Sequence, residues 1–213
     1  MTKQIDNEYY KKFCSVVESF DSGAVKKCSS TMKEASYDDK NNYYVYFDHE
    51  NNQDFNVDMT IFKLDDFSEI YNPKNIYPAV DAICIDSENN WYLIEFKNQK
   101  FNDAKSSVKK KMMGSLWIIS GTYLKTNNIS DISNNSKTKN IIDFSRENIT
   151  YILVCSSKKN RQEISDKMRK HMASATGKNY NPNKLDYCTE CFCFKDAYIL
   201  DEKELRNFIA QFK

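Results

Sequence analysis

Glycine, proline and histidine are scarce in this chain of 213 residues, which holds four glycines, three prolines and two histidines. With so few glycines, the chain has no glycine-rich loop of the kind that cradles nucleotide phosphates, so a nucleoside triphosphatase is disfavoured. His49 lies in a polar segment and no Ser-His or Cys-His catalytic pair stands out. These absences leave carboxylates, lysines and cysteines as the residues that can carry chemistry.

Long apolar runs are also missing. No stretch approaches the roughly 18 uncharged residues that a membrane span needs. Residues 1–6 lack the apolar segment of a secretory signal, so we expect a cytoplasmic protein with no membrane partner. In that reducing compartment the seven cysteines are expected to be free thiols, and their odd number argues against a complete disulfide framework.

One group of cysteines, Cys188, Cys191 and Cys193, raises the question of a metal-binding site. A structural zinc site needs about four ligands, and neither His171 nor Cys155 adds one at a matching spacing. Residues 191–194 also have the pattern of an ordinary strand. A structural zinc or an iron–sulfur cluster is therefore not expected.

Charge is unevenly distributed along the chain. Residues 1–96 carry 18 acidic and 9 basic side chains, whereas residues 97–213 carry 12 acidic and 22 basic ones. A surface that faces anions in the second part is one interpretation of this change. The length suits one domain, and the 40% of apolar residues can supply its core.

Apolar periodicity predicts alternating helices and strands. Predicted helices cover residues 6–20, 24–36, 101–125, 162–172 and 201–212, and predicted strands cover 43–47, 55–62, 80–85, 91–96, 149–155 and part of 191–200. The first two strands are expected to form a hairpin, and residues 126–139 and 173–184 are expected to be loops. Asp6 and Asp201 are the predicted caps of the first and last helices, with Glu204 completing a capping box. This order predicts an α/β fold with a central mixed β-sheet flanked by helices.

Charged side chains gather at one end of two neighbouring apolar strands. The segment Pro78–Asp81 opens the first strand, and Trp91–Lys97 ends the second. Side chains alternate between faces along a strand. A hairpin register that pairs Ile85 with Trp91 and Ile83 with Leu93 therefore puts Asp81 opposite Glu95, with Lys97 as its diagonal neighbour.

Two carboxylates that lie this close repel each other unless a cation joins them or one takes up a proton. Mg²⁺ prefers oxygen ligands and keeps several waters, and the carbonyl of Phe96 could offer a third oxygen. A water activated by the metal can attack a phosphodiester, while Lys97 orients that water or neutralises the developing charge. An ordinary cross-strand ion pair is the competing interpretation.

The sequence Pro-Ala-Val-Asp, a hairpin and an apolar strand ending in Glu-Phe-Lys resemble the active-site motif of the PD-(D/E)xK nuclease superfamily. The resemblance implies a single domain over residues 1–213, with a restriction-endonuclease-like core at about 6–157 and a C-terminal extension over 158–213. It implies that Asp81 and Glu95 bind Mg²⁺ or Mn²⁺ and that Lys97 is catalytic. Many members add an acid from the first helix, for which Glu18 is the first candidate and Glu8 the second. The family proline directly precedes its aspartate, whereas Pro78 stands three positions earlier.

The function implied by this resemblance is hydrolysis of DNA phosphodiester bonds by a metal-activated water. Lysines that follow the motif are expected to contact phosphates, which neutralises charge without reading sequence. The candidates are Lys100, Lys105 and Lys109, with a second basic group at Lys158, Lys159 and Arg161. For any single lysine, a solvated surface position is the alternative.

The alternative function is a catalytically inactive relative that keeps the fold and binds a protein or nucleic acid, in a defence, mobile-element or toxin–immunity context. A homodimer stays open, because many relatives dimerise to cut both strands, although no coiled-coil pattern is present. Trp117 is expected in the core rather than on a base-stacking surface. Tyr43, Tyr44 and Tyr46 are expected in a partly buried strand.

Overall fold

The computed structural model of the protein describes residues 7–55, 59–125, 141–160 and 193–210, without the side chains of residues 101, 102, 105, 106 and 123–125. The described helices are α1 (Glu8–Glu18), α2 (Ala24–Cys28), α3 (Met32–Ala35), α4 (Leu64–Tyr71), α5 (Phe101–Lys125), α6 (Ile141–Asn148), α7 (Ser157–Asn160) and α8 (Glu202–Ile209). The described strands are β1 (Ser29–Thr31), β2 (Tyr37–Asp38), β3 (Tyr43–Tyr44), β4 (Thr60–Phe62), β5 (Ala82–Ile85), β6 (Trp91–Lys97), β7 (Ile149–Cys155) and β8 (Asp196–Leu200).

Six of these strands form one mixed sheet in the order β1-β4-β5-β6-β7-β8. Neighbours are antiparallel from β1 to β6, whereas β6–β7 and β7–β8 are parallel. The hairpin register predicted for β5 and β6 is confirmed, since Ile83 pairs with Leu93 and Ile85 with Trp91. One end of the sheet therefore holds the last residues of β6 and β7 and the first residue of β5.

Helices cover both faces of the sheet, which confirms the predicted α/β class. On one face, Ile83, Leu93 and Tyr151 lie in a buried cluster with residues of α1, α4, α5 and α6. On the other face, Cys84 and Ile94 lie in a second cluster with residues of α3 and α8. Strand β7 is buried along its whole length, as expected of a strand covered on both sides.

The first helix is anchored at its start by Asn7, not by the predicted Asp6, which lies outside the described residues. The side-chain oxygen of Asn7 accepts a hydrogen bond from the N–H of Tyr9 at 2.8 Å, and its amide nitrogen donates to the carbonyl of Ile85 at 2.9 Å. One side chain thus caps α1 and ties it to the end of β5. The capping box predicted for the last helix, Asp201 with Glu204, is confirmed.

Two predictions for the first third of the chain are wrong. The predicted helix over 24–36 is interrupted by β1, because Thr31 accepts a hydrogen bond from the N–H of Glu34 and so starts the separate helix α3. The predicted hairpin of 43–47 with 55–62 does not form. Strand β3 pairs with β2, and β4 lies between β1 and β5. Alternation indicates a strand without identifying its partner.

Other predictions differ in extent or lie outside the described residues. Helix α5 and strand β7 have the predicted bounds, whereas α4, α6 and α7 were not predicted. Trp117 is 62% exposed, so its expected place in the core is wrong. The predictions for 126–139, 162–172 and 173–184 fall on residues that are not described. Within the described ranges, none of the helices combines the length and apolar character needed to cross a membrane.

Candidate active site

Four charged side chains meet where β6 ends and β5 begins. Glu95 and Lys97 lie near the end of β6, and Asp81 directly precedes β5. The fourth is Lys111, from the middle of α5. We call Asp81, Glu95, Lys97 and Lys111 the charged quartet. The structure thus brings together the three residues that the sequence predicted, and adds a second lysine.

Both carboxylates of the quartet contact the same ammonium group. The Nζ atom of Lys111 lies 2.6 Å from Oδ1 of Asp81 and 2.9 Å from Oε2 of Glu95. The Nζ atom of Lys97 lies 2.6 Å from Oε1 of Glu95. When both carboxylates are ionised, two positive and two negative charges balance within the quartet.

Glu95 is the most deeply buried member of the quartet. Its side chain is fully buried, whereas the side chains of Asp81, Lys97 and Lys111 are 14%, 18% and 22% exposed. The two lysines lie at ion-pair distance, yet within the described part of the chain neither Glu95 oxygen has a partner in hydrogen-bond geometry. An ionised carboxylate in that position depends on its two ion pairs, because burial of an unpaired charge is expensive in a protein interior.

Glu95 and Lys111 have shifted pKa values in this environment. Burial and the charge of Asp81 raise the pKa of Glu95 to about 8, although Lys111 and Lys97 oppose the rise. Burial alone would lower the pKa of Lys111, but the carboxylates of Asp81 and Glu95 outweigh it and raise the pKa above its ordinary value. The ammonium of Lys111 is therefore firmly charged. A perturbed carboxyl beside a cleft is a feature of functional sites.

The backbone of Phe96 faces the same position. Its N–H donates a hydrogen bond to Oδ2 of Asp81 at 2.6 Å. The N–H and C=O of one strand residue face the same neighbouring strand, so the carbonyl of Phe96 is directed to the side of Asp81. The predicted third oxygen is thus on the correct side of β6 to join the two carboxylates.

Close packing of α5 brings Lys111 to the site. A Cβ atom on Gly114 would collide with the carbonyl oxygen of Pro78, so only glycine allows the helix to approach the Pro78–Asp81 segment this closely. The hydroxyl of Ser115 accepts a hydrogen bond from the N–H of Val80 at 3.0 Å and donates to the carbonyl of Lys111 at 2.6 Å. These contacts fix the start of β5 and the helix against each other.

A cleft of about 890 Å³ opens beside the quartet and includes Asp81, Phe96 and Lys97 in its lining. The small β2–β3 sheet forms one wall, held by the amide of Asn98, which donates to Asp38 at 3.0 Å. Among the described residues, carboxylates outnumber lysines in the lining: Glu34, Asp38, Asp39, Asp65, Asp66 and Asp81 against Lys27, Lys40, Lys63 and Lys97. The cleft therefore favours cations over isolated anions.

Asp65, in the first turn of α4, is a further acid whose pKa depends on the charge of Asp81. Burial and the negative charge of Asp81 raise its pKa to about 6, although Lys63 opposes this. Its Oδ1 atom accepts a hydrogen bond from the N–H of Asp66 at 3.0 Å. Asp65 is thus an acid of the cleft that the sequence prediction did not include.

The acids predicted from the first helix do not join the quartet. Glu18 uses both carboxylate oxygens at the start of α2, where they accept hydrogen bonds from the N–H of Gly23 at 2.6 Å and of Val25 at 3.0 Å. Glu8 is exposed and pairs with Lys12 one turn later, at 2.7 Å. The hydrogen-bond contacts of Glu18 are structural, and Asp65 is the better candidate for an additional acid.

The predicted phosphate-contacting lysines that are described lie on the surface. Lys100 and Lys109 are exposed near the start of α5, and Lys158 and Lys159 are exposed on α7. Helix α7 follows β7 at the end of the sheet that holds the quartet, since Cys155 pairs with Lys97. The side chain of Lys105 and the whole of Arg161 lie outside what the structure describes.

Lys111 and Asp65 each had a signal in the sequence. Lys111 stands three residues after Val108 and four before Ser115, at the helical spacing of the buried stripe. A lysine on such a stripe indicates a buried charge with a partner. Asp65 lies between Leu64 and Phe67, whose spacing is typical of the helix that was missed.

The donor set of the quartet fits a small cation that prefers oxygen. Two carboxylate oxygens converge on one nitrogen position, and the carbonyl of Phe96 faces the same side. Mg²⁺ is commonly held by one or two carboxylates together with waters. Across residues 7–55, 59–125, 141–160 and 193–210, no group of three or more histidine, cysteine or acidic side chains is arranged to hold a metal. A site here would therefore depend on two carboxylates and the carbonyl.

The predicted absence of structural zinc stays a prediction, because Cys188 and Cys191 lie outside the described residues. Cys193 is half-buried, and Cys155 is a free, buried thiol. Burial raises the pKa of Cys155 to about 12, as expected of an inert core thiol.

Comparisons of the chain with protein-family models, with curated proteins and with solved structures found no significant match.

Proposed function

We propose that this protein is a metal-dependent nuclease that hydrolyses DNA phosphodiester bonds, with a site similar to that of the PD-(D/E)xK nucleases. One observation carries the proposal. Carboxylates from two adjacent strands, Asp81 and Glu95, converge on a single cation position beside Lys97, at the edge of a large cleft. A structural ion pair alone would not require a cleft at that point.

Each residue has a role in this proposal. Asp81, Glu95 and the carbonyl of Phe96 would hold Mg²⁺ or Mn²⁺, which supplies Lewis-acid chemistry at the phosphate and at a water. Lys97 lines the cleft, so its ammonium can orient the attacking water or stabilise the charge that develops on the phosphate. Burial of Glu95 excludes water from one side of the site and strengthens each of these electrostatic interactions.

The acidic lining of the cleft also favours a cation-dependent reaction. A phosphodiester carries negative charge and would be repelled by the excess of carboxylates over lysines in the lining unless cations neutralise part of it. Exposed lysines at the same end of the sheet, Lys158 and Lys159 on α7 and Lys100 before α5, would contact backbone phosphates outside the cleft. DNA rather than RNA is chosen by resemblance to the nuclease superfamily.

A cleavage assay tests this proposal. Supercoiled plasmid and single- and double-stranded oligonucleotides are incubated with the protein and Mg²⁺ or Mn²⁺. We expect Lys97→Ala and Asp81→Asn to reduce the cleavage rate about 100-fold or more, since one preorganised charge is typically worth that much. Lys11→Ala, which removes an exposed lysine of α1 that is not part of the cleft lining, should cleave like the wild type. Undiminished cleavage by Lys97→Ala would refute the mechanism.

A second candidate function is supported by Lys111. Its ammonium already pairs with both carboxylates, which is what a nuclease fold without catalysis would retain as a structural ion network. Such a binding module would bind nucleic acid or a protein in the presence of a chelator. Binding that survives both chelation and Asp81→Asn, together with no cleavage of any substrate by the wild type, would favour this candidate.

A further inference from the structure

Lys111 shares its partners with the proposed metal. It contacts Oδ1 of Asp81 and Oε2 of Glu95, whereas the ion pair of Lys97 is with Oε1 of Glu95. The two lysines therefore differ in their position relative to the two carboxylates. Lys97 lies beside the pair of carboxylates, and Lys111 lies between them.

An ammonium group and a divalent cation cannot both fill that position. Mg²⁺ requires its oxygen ligands at about 2.0–2.1 Å, while the ammonium of Lys111 already lies 2.6 Å and 2.9 Å from the same two side chains. Charge leads to the same conclusion. Even with both carboxylates ionised the quartet is only balanced, so a divalent ion added to it would leave an uncompensated excess of positive charge in a largely buried site.

The side chain of Lys111 is able to move away from the two carboxylates while its backbone stays in place. Its ammonium is carried on a flexible four-carbon stem, and its side chain retains 22% exposure. The helix under it is fixed by the contacts of Ser115 and by the close packing of Gly114 against Pro78. The movement required is a change of side-chain rotamer.

We infer that Lys111 is an internal counter-cation, which occupies the metal position of the metal-free protein and is displaced when a divalent cation binds. This inference rests on the proposed metal-dependent function. Lys111 then stabilises the folded protein without metal and weakens its affinity for metal. The activity of the protein would respond to divalent-ion concentration over a higher range than the carboxylates alone would set.

Metal binding tests the inference independently of cleavage. Mn²⁺ affinity is measured from the electron paramagnetic resonance signal of the free ion, at mildly alkaline pH, for wild type, Lys111→Met and Lys110→Met. Lys110 is the matched control, because it is exposed on the same helix and its substitution removes the same charge. We expect Lys111→Met to bind Mn²⁺ at least about tenfold more tightly than both others, given the strength of a close charge pair in a protein.

Equal or weaker Mn²⁺ binding by Lys111→Met than by Lys110→Met would overturn the inference and leave the proposed function standing. Failure of all three proteins to bind Mn²⁺ would overturn both. The wild type provides a second measurement should Lys111→Met not fold. The Nζ resonance of Lys111, observed by nuclear magnetic resonance, should shift on addition of Mg²⁺, and an unchanged resonance at saturating Mg²⁺ would overturn the inference.

Discussion

The charge of Asp81 acts on residues beyond its ion pair with Lys111. It raises the pKa of Glu95 across the hairpin and of Asp65 at the start of α4, in both cases after burial as the larger cause. Lysines oppose the effect at each position. The protonation of Glu95 in β6 and of Asp65 in α4 therefore depends on the charge of Asp81, which directly precedes β5.

Replacement of Asp65 tests this coupling through the pH dependence of stability. Since the pKa of Asp65 is raised from 3.8 to about 6 in the folded protein, folding favours its protonated form. The protonated residue contributes full stability below about pH 4, and this contribution is lost as the pH rises through about 6. We expect Asp65→Asn to increase the free energy of unfolding by on the order of 2 kcal/mol at neutral pH, with no gain at low pH.

The measurement is urea denaturation of wild type and Asp65→Asn over a series of pH values, with a chelator present. Asp66→Asn is the matched control, because Asp66 lies in the same helical turn but pairs with Lys63 at 2.9 Å. It should show no gain at neutral pH. A change of stability for Asp65→Asn that is the same at every pH would argue against the raised pKa.

At the scale of elements, α5 is placed by two glycines rather than by apolar side chains alone. Gly114 lies against the backbone of Pro78, and Gly121 lies against the hydroxyl of Tyr71 in α4. A glycine inside a helix lowers helix propensity by about 1 kcal/mol relative to alanine. The glycines allow a close approach of α5 to the sheet, which brings the side chain of Lys111 within reach of Asp81 before β5 and Glu95 in β6.

Alanine at these two positions should have different effects. At Gly114 the new methyl group meets backbone, which cannot rotate away, so we expect a net loss of on the order of 1–3 kcal/mol in spite of the better helix propensity. At Gly121 the new methyl group meets the hydroxyl of Tyr71, so Gly121→Ala should also lose stability. Tyr71→Phe removes that hydroxyl and should restore part of the loss. Chemical denaturation of Gly114→Ala, Gly121→Ala and Gly121→Ala/Tyr71→Phe measures this. A Gly114→Ala protein more stable than the wild type would contradict the packing described.

At the scale of the whole molecule, stability is expected to be concentrated in the centre of the main sheet. Strand β7 is buried throughout and β6 almost throughout, whereas β2 and β3 form a separate sheet of two residues each. Buried central strands usually open only by global unfolding. The wall of the cleft formed by β2 and β3 is therefore its least protected part.

Hydrogen exchange followed by mass spectrometry checks this distribution. We expect peptides covering β6 and β7 to exchange at the rate of global unfolding, and peptides covering residues 37–44 to exchange faster by orders of magnitude. Low concentrations of denaturant should accelerate the exchange of the β6 and β7 peptides and leave the exchange of residues 37–44 nearly unchanged. Equal protection of both groups would show that the small sheet is part of the same cooperative unit.

Sequence patterns predicted the parts of this fold that are set by neighbouring residues. The polar turn between β5 and β6 and the alternation of their side chains determine the register, so the approach of Asp81 to Glu95 was predictable. Lys111 and Asp65 were not predicted as site residues, because their positions depend on how α5 and α4 pack. The pairing of β4 with β1 was missed for the same reason, since two short strands carry no information about distant partners.

The quartet also has a consequence for how the chain folds. Asp81 and Lys111 are 30 positions apart in sequence, and Glu95 and Lys97 lie between them. A hairpin followed by a helix is thus enough to bring all four charges near one another, with only a short loop to close. Pairing of β6 with β7 spans a longer stretch of chain and is expected to form more slowly. The charged site can therefore assemble before the sheet that finally buries Glu95 is complete, while water can still solvate its carboxylate.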